Sequence, residues 1–218
     1  MRAVSPKKIR EPQITVVPGD LEPFELVPLA ANLVIEQCRI DGCAFEKSKC
    51  DSIRIDGVRI ASTSFEESKL SSTRWIDVIC ERSSFAMIDW RGAGFTRVVI
   101  RGCRLTGAKF YEAVFEDVTF VDSQIDYGSF GDAKFSRVSF ENCQLRDADF
   151  HAADLRGVTF VDCDLERADF TRAKLQGTDV SQSNVCGITI SAVETRGLVV
   201  NRDQASVLAA LFGLVIRD

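Results

Sequence analysis

From Ile35 to Ile190 every residue whose number divides by five is apolar, thirty-two positions in succession. Thirteen of the fifteen Phe residues fall in this series, and the other two, Phe24 and Phe212, flank it. Two residues before each large residue (position i) stands Ala, Cys, Ser, Thr, Gly, Val, Ile or Leu, with no charge and no aromatic ring. A period of five matches neither an α-helix nor a free strand. In extended backbone, i−2 and i point the same way, so i+1 and i+2 must turn the chain. Nine of the fourteen glycines sit at i+2, from Gly42 to Gly197, where a type II corner demands positive φ.

The small positions add a second period of twenty. Val58, Val78, Val98, Val118, Val138 and Val158 form one series, Ala93, Ala113, Ala133, Ala153 and Ala173 another. Four pentapeptides therefore close one coil, and the stretch makes about eight coils stacked at about 4.8 Å, a rod of roughly 38 Å. The fold expected is all-β, a quadrilateral β-helix with a packed interior, extending over residues 33–197. All five prolines lie in residues 1–32. In that segment Ile14, Val16, Val17, Leu21, Phe24, Leu26 and Leu29 could cover the open end of the first coil, with basic Met1–Arg10 as a free start; a separate binding tail is the alternative. Trp75 and Trp90 stand at large positions and read as packing residues.

Residues 198–218 change character. Asn201 and Gln204 form an Asn-x-x-Gln helix start, Val207, Leu208, Leu211 and Phe212 make an apolar stripe, and Gly213 ends it before Leu214-Val215-Ile216. This segment is either a cap on the last coil or a cap that also pairs with its twin in a symmetric homodimer; the excess of apolar surface favours the dimer.

Net charge is −5, which argues against nucleic acid as a direct ligand. Of the eight cysteines only Cys186 points outward in the register, so they read as small hydrophobes of a reducing compartment. No CxxC pair, signal peptide or membrane-length apolar run occurs, so the expectation is a cytoplasmic protein with no cofactor, no metal and no membrane contact. The lone His151 is at an outward i+1 position and no catalytic constellation is present, so no enzyme is expected. Charge is unevenly spread around the rod. The face through Ile60, Cys80 and Phe160 has its four bases in the first half, and beyond Arg101 it carries Asp122, Glu141, Asp162 and Asp179 and no base. The next face adds Asp126, Asp147, Asp164 and Glu166 against Arg146 and Arg167. These acids are the candidate partner-binding face; ordinary solvated polar positions are the bland alternative.

Units such as ADLRG at 153–157 and AKLQG at 173–177 resemble the pentapeptide repeat family, and the resemblance covers about three quarters of the chain. It implies a right-handed quadrilateral β-helix. The tail VVNRDQASVLAALFGLVIRD looks like the C-terminal dimerisation segment of the Qnr, MfpA and AlbG proteins. That likeness implies an acidic, B-DNA-like rod that binds DNA gyrase or topoisomerase IV, with Gln204, Ala205, Leu208, Leu211, Phe212, Leu214 and Ile216 at the dimer contact. Two rods with caps approach 100 Å, comparable with about thirty base pairs at 3.4 Å per step. The unbroken register leaves no room for the projecting loops of many Qnr proteins and is closer to the loop-free MfpA type, with protection and inhibition of the topoisomerase both open. The alternative function is a protein-interaction scaffold unrelated to topoisomerases.

Overall fold

A computed structural model describes residues 8–13, 21–24, 29 and 31–215. The chain winds as a parallel β-solenoid of about eight coils closed by one helix. Its elements are β1 (Glu22–Pro23), β2 (Val34–Glu36), β3 (Cys38–Asp41), β4 (Arg54–Asp56), β5 (Arg59–Ala61), β6 (Arg74–Glu81), β7 (Gly94–Arg101), β8 (Val114–Val121), β9 (Lys134–Glu141), β10 (Thr159–Asp164), β11 (Asp179–Asn184) and α1 (Arg202–Leu211). The twenty-residue period is the ladder register itself: Trp75 pairs with Phe95, Phe95 with Phe115, and Phe115 with Phe135.

Register fixes packing. In a parallel ladder like residues lie directly above one another, so each large position becomes a column. Phe110, Phe130, Phe150 and Phe170 are buried, and their rings stack at 4.7, 4.9 and 5.2 Å within 6° of parallel. Phe120, Phe140 and Phe160 form a second column at 4.6 and 5.0 Å. Trp75 and Trp90 are both fully buried, as a packing role requires.

The corners obey a stricter rule than glycine content suggests. From Asn32 to Gly177 every i+2 residue has positive φ, and 23 of them are not glycine. The reason lies in the hydrogen bonding. A left-handed residue at i+2 aims its N–H along the rod axis onto the next coil, as in Gly42 N to Ala61 O at 3.1 Å and Asp122 N to Glu141 O at 3.0 Å. The coil geometry thus imposes the conformation, and Asn and Asp, which tolerate it best among non-glycine residues, recur there. Fourteen of these corners also close an i to i+3 bond, for example Ala133 N to Phe130 O at 3.0 Å. At the corners after Trp75, Phe95, Phe115 and Phe135 the strand runs through unbroken. After Leu155 and Leu175, where glycine occupies i+2, the same corner becomes a closed turn through Val158 N and Thr178 N.

Asp in the Ala-Asp-Phe units also has a role. Its carboxylate accepts the N–H two residues on, as with Asp149 and His151 at 2.8 Å, and Asp169 and Thr171 at 2.8 Å, which steadies the turn from outside.

Both ends are closed. Leu21 is buried, β1 pairs with β3, and Phe24 packs edge-on against Phe45 at 6.2 Å. Ile14, Val16, Val17 and Leu26 lie outside the described residues. Residues 8–13 do not share in this end cap. They cross the side of the rod, where Arg10 N donates to Asp117 at 3.0 Å and Gln13 N to Asp77 at 2.7 Å; Arg10 is therefore bound to the rod and is not part of a free start. At the other end α1 opens on a complete capping box of Asn201 and Gln204. It closes on Gly213, with φ 78°, through Gly213 N to Ala210 O and Leu214 N to Ala209 O, a Schellman arrangement.

Candidate partner-binding face

The acids singled out in the sequence divide into two groups by what holds them. Asp147 and Asp164 are neutralised locally. Arg167 grips Asp147 with two bonds of 2.8 and 2.7 Å, and Arg146 reaches Asp164 at 2.5 Å. Asp126 accepts the Arg146 N–H at 2.9 Å. The Arg167 contact holds Asp147 below the ordinary carboxylate range; at Asp164 burial pushes upward most strongly, and the bonds from Arg146, the Glu166 N–H and Asn184 together outweigh it.

The other group is different. Asp122, Glu141, Asp162 and Asp179 make no ion pair among the described residues. Asp122 and Asp162 share one corner column two coils apart, about 9.6 Å by strand spacing, and both are exposed. Between them in the column Asn142 donates to Asp122 at 2.7 Å. Exposed Glu141 accepts only the hydroxyl of Ser139 at 2.9 Å. Asp179 also serves its own turn, accepting from Ser181 N at 2.9 Å. In the N-terminal half of the same face Glu81 is held between Arg59 at 2.5 Å and Arg101 at 3.7 Å. The C-terminal half of this face thus has four acids and no base, whereas the N-terminal half sets Arg39, Arg59, Arg82 and Arg101 against Asp41 and Glu81.

One corner column was missed in the sequence. Asp77, Arg97, Asp117 and Arg137 stack with alternating charge. Arg97 binds Asp77 through two bonds of 2.6 Å, and Arg137 binds Asp117 at 2.6 and 2.9 Å. The Arg137 guanidinium holds Asp117 below the usual carboxylate range against its burial, with help from the Arg10 N–H. Because the folded pKa lies below the unfolded value of about 3.9, this pair stabilises the rod above that pH and the stabilisation is lost as pH falls through the folded pKa. Arg137→Met is expected to cost about 3 kcal/mol at pH 7, since it strands a carboxylate whose side chain is only 2% exposed. Urea unfolding at pH 7 and at pH 3 checks this: the gap between variant and wild type narrows at the lower pH.

The tail residues also divide. Gln204 and Leu208 are each 7% exposed. The Gln204 side chain donates to Val180 O at 2.8 Å and Ser183 O at 2.7 Å, and Leu208 joins the core, with Phe212 packed against it. Gln204 and Leu208, expected at a contact with a twin, both pin α1 to the last coil of their own chain. Val207, Leu211, Leu214 and Val215 face solvent, as does Ala205, and Ile216 lies outside the described residues.

Residues 93–170 match the family model described as a pentapeptide repeat region. Over those residues the rod is similar to a pentapeptide repeat region. No curated protein matches the chain. Among solved structures, the solenoid is similar to a trypsin-treated variant of QnrB1, a plasmid-mediated fluoroquinolone resistance protein, at 20% identity and TM-score 0.43, covering 86% of this chain and 99% of that one. It is also similar to HetL, a pentapeptide repeat protein involved in heterocyst differentiation regulation in the cyanobacterium Nostoc, at 16% identity and TM-score 0.27, covering 78% and 86%. A pentapeptide repeat protein from the Arabidopsis thaliana thylakoid lumen matches at 18% identity and TM-score 0.21, covering 64% and 73%. Among the described residues of the solenoid no group of His, Cys, Asp and Glu is placed to hold a metal ion, and no helix is long and apolar enough to cross a membrane.

Proposed function

We propose that this pentapeptide repeat protein is a cytoplasmic, non-enzymatic DNA mimic that binds a type II topoisomerase, gyrase or topoisomerase IV, as a homodimer. The observation that carries the reading is the strip of exposed carboxylates at Asp122, Glu141 and Asp162, continued by Asp179, without ion-pair partners among the described residues on an otherwise charge-balanced rod. A surface that binds phosphates must be basic, and an unneutralised acidic strip along a rod of DNA-like length is complementary to it. Long-range attraction of this kind sets encounter rate and selectivity and weakens as salt screens it. The likeness of the C-terminal segment to those of Qnr, MfpA and AlbG supports the same partner. The exposed apolar residues of the cap supply the surface for two-fold pairing.

The test is a gyrase supercoiling assay at 50 and 300 mM salt, with and without a quinolone. Gyrase activity is expected to change on titration with the protein, either by inhibition or by relief of the quinolone, and the effect is expected to shrink at the higher salt. No effect and no binding to gyrase or topoisomerase IV would favour a scaffold of other purpose.

A further inference from the structure

Residues 8–13 are placed where no capping role explains them. Arg10 N and Gln13 N bond to Asp117 and Asp77, carboxylates two coils apart, so about 9.6 Å of rod is crossed by three residues, which span about 10 Å when extended. The segment therefore runs along the rod axis, across the strands, toward the C-terminal half as residue numbers fall. It continues over the edge of the acidic face: Lys8, Ile9 and Glu11 form one wall of a cleft of about 460 Å³, and Val99, Arg101, Thr119, Ser139 and Glu141 line the other. Val99 and Ser139 stand at outward positions of their strands, yet are only 9% and 4% exposed. Charges of both signs line the cleft, Lys8 and Glu11 from the strap and Glu141 and Arg101 from the rod.

The attachment is slight. Two backbone N–H bonds, a long ion pair of Arg10 with Asp117 at 4.0 Å and the half-buried Ile9 and Pro12 hold it, while Lys8, Arg10, Glu11 and Gln13 are exposed. An element with few buried contacts belongs to the low-stability end of the native ensemble and opens without global unfolding.

We propose that residues 8–13 are a displaceable strap that covers Val99 and Ser139 beside the acidic strip, and that a basic partner surface must lift it to lie flush along the edge marked by exposed Glu141. The strap sets its own bases, Lys8 and Arg10, where such a partner would place its own. The partner identity rests on the reading above; the strap itself does not.

The strap can be loosened without altering the rod. Arg10→Pro with Gln13→Pro removes both donors while favouring extended backbone, and Asp77 and Asp117 keep Arg97 and Arg137. A thiol introduced by Ser139→Cys reports closure through its labelling rate, read at that peptide by mass spectrometry. Labelling is expected to be at least about fivefold faster in the double-proline chain and in a chain lacking residues 1–13, with an unchanged unfolding midpoint. Gyrase is expected to bind both loosened chains several-fold more tightly than the parent. Equal labelling rates would overturn the strap. Faster labelling with gyrase affinity unchanged or weakened would overturn the gate and leave a passive brace. If neither parent nor loosened chain binds gyrase, the topoisomerase reading fails, and the labelling rates decide the strap on their own.

Discussion

Reversing Asp122, Glu141 and Asp162 to lysine together is expected to abolish the action on gyrase while the rod stays folded. The three carboxylates lack ion-pair partners among the described residues, so their removal strands no buried cation. What is lost locally is a hydrogen bond from Asn142 to Asp122 and one from the buried Ser139 hydroxyl to Glu141; all three substituted side chains are themselves exposed, where substitutions cost little. The electrostatic change is large by comparison. Net charge moves from −5 to +1, and all of the change falls on one half of one face. At 0.15 M salt the screening length is about 8 Å, close to the spacing of Asp122 and Asp162, so the strip acts as one patch whose reach shortens as salt rises. Reversal turns that patch repulsive toward a phosphate-binding surface. Asp147 and Asp164 are unsuitable for the same test, because Lys there would break the pairs with Arg167 and Arg146 and confuse folding with binding. Circular dichroism together with supercoiling measures both halves of the expectation. Undiminished gyrase binding by the folded triple variant would sink the acidic-face mechanism.

The chain's periodicity made the rod legible because a solenoid is nearly one-dimensional: each residue's environment is set by its place in the pentapeptide and by its counterparts twenty residues away. Phe130 is buried between Phe110 and Phe150 for that reason alone. What stayed hidden follows the same logic. Glycine marks nine of the left-handed corner positions between Gly42 and Gly197, but the conformation is demanded by the direction of the N–H bond to the next coil, so Asp77 and Arg137 adopt it as well. Neutralisation of Asp147 and Asp164 depends on which way Arg167 and Arg146 lean between coils, which a count of charges per face cannot show. The docking of Arg10 on Asp117 joins residues 107 apart and leaves no periodic trace. In the tail, apolar spacing announced a helix, yet Gln204 belongs to the inward side although it is polar, because the open carbonyls of Val180 and Ser183 need its amide.

That division of the tail decides how its pairing must be tested. Val207→Asp with Leu211→Asp is expected to convert a dimer into a monomer with little change in unfolding temperature, since Val207 and Leu211 are each 54% exposed on the rod's own cap. Around them Leu214 at 63% and Val215 at 85% continue the apolar surface, more than a closed cap needs and enough to seed a two-fold contact. A carboxylate forced into such a contact loses its water without gaining a partner, and the symmetry applies each penalty twice. Leu208→Asp reads something else. Leu208 is 7% exposed within the core cluster, so the charge would peel α1 from the last coil and lower stability whatever the oligomeric state. The two variants together separate pairing from capping, with light scattering reporting mass and thermal unfolding reporting the cap. A dimer that survives Val207→Asp with Leu211→Asp would place the interface elsewhere on the rod. A wild-type chain that is monomeric at high micromolar concentration would leave the apolar cap without a twin, and a single rod of roughly 38 Å would then meet the topoisomerase over only about eleven base pairs' length.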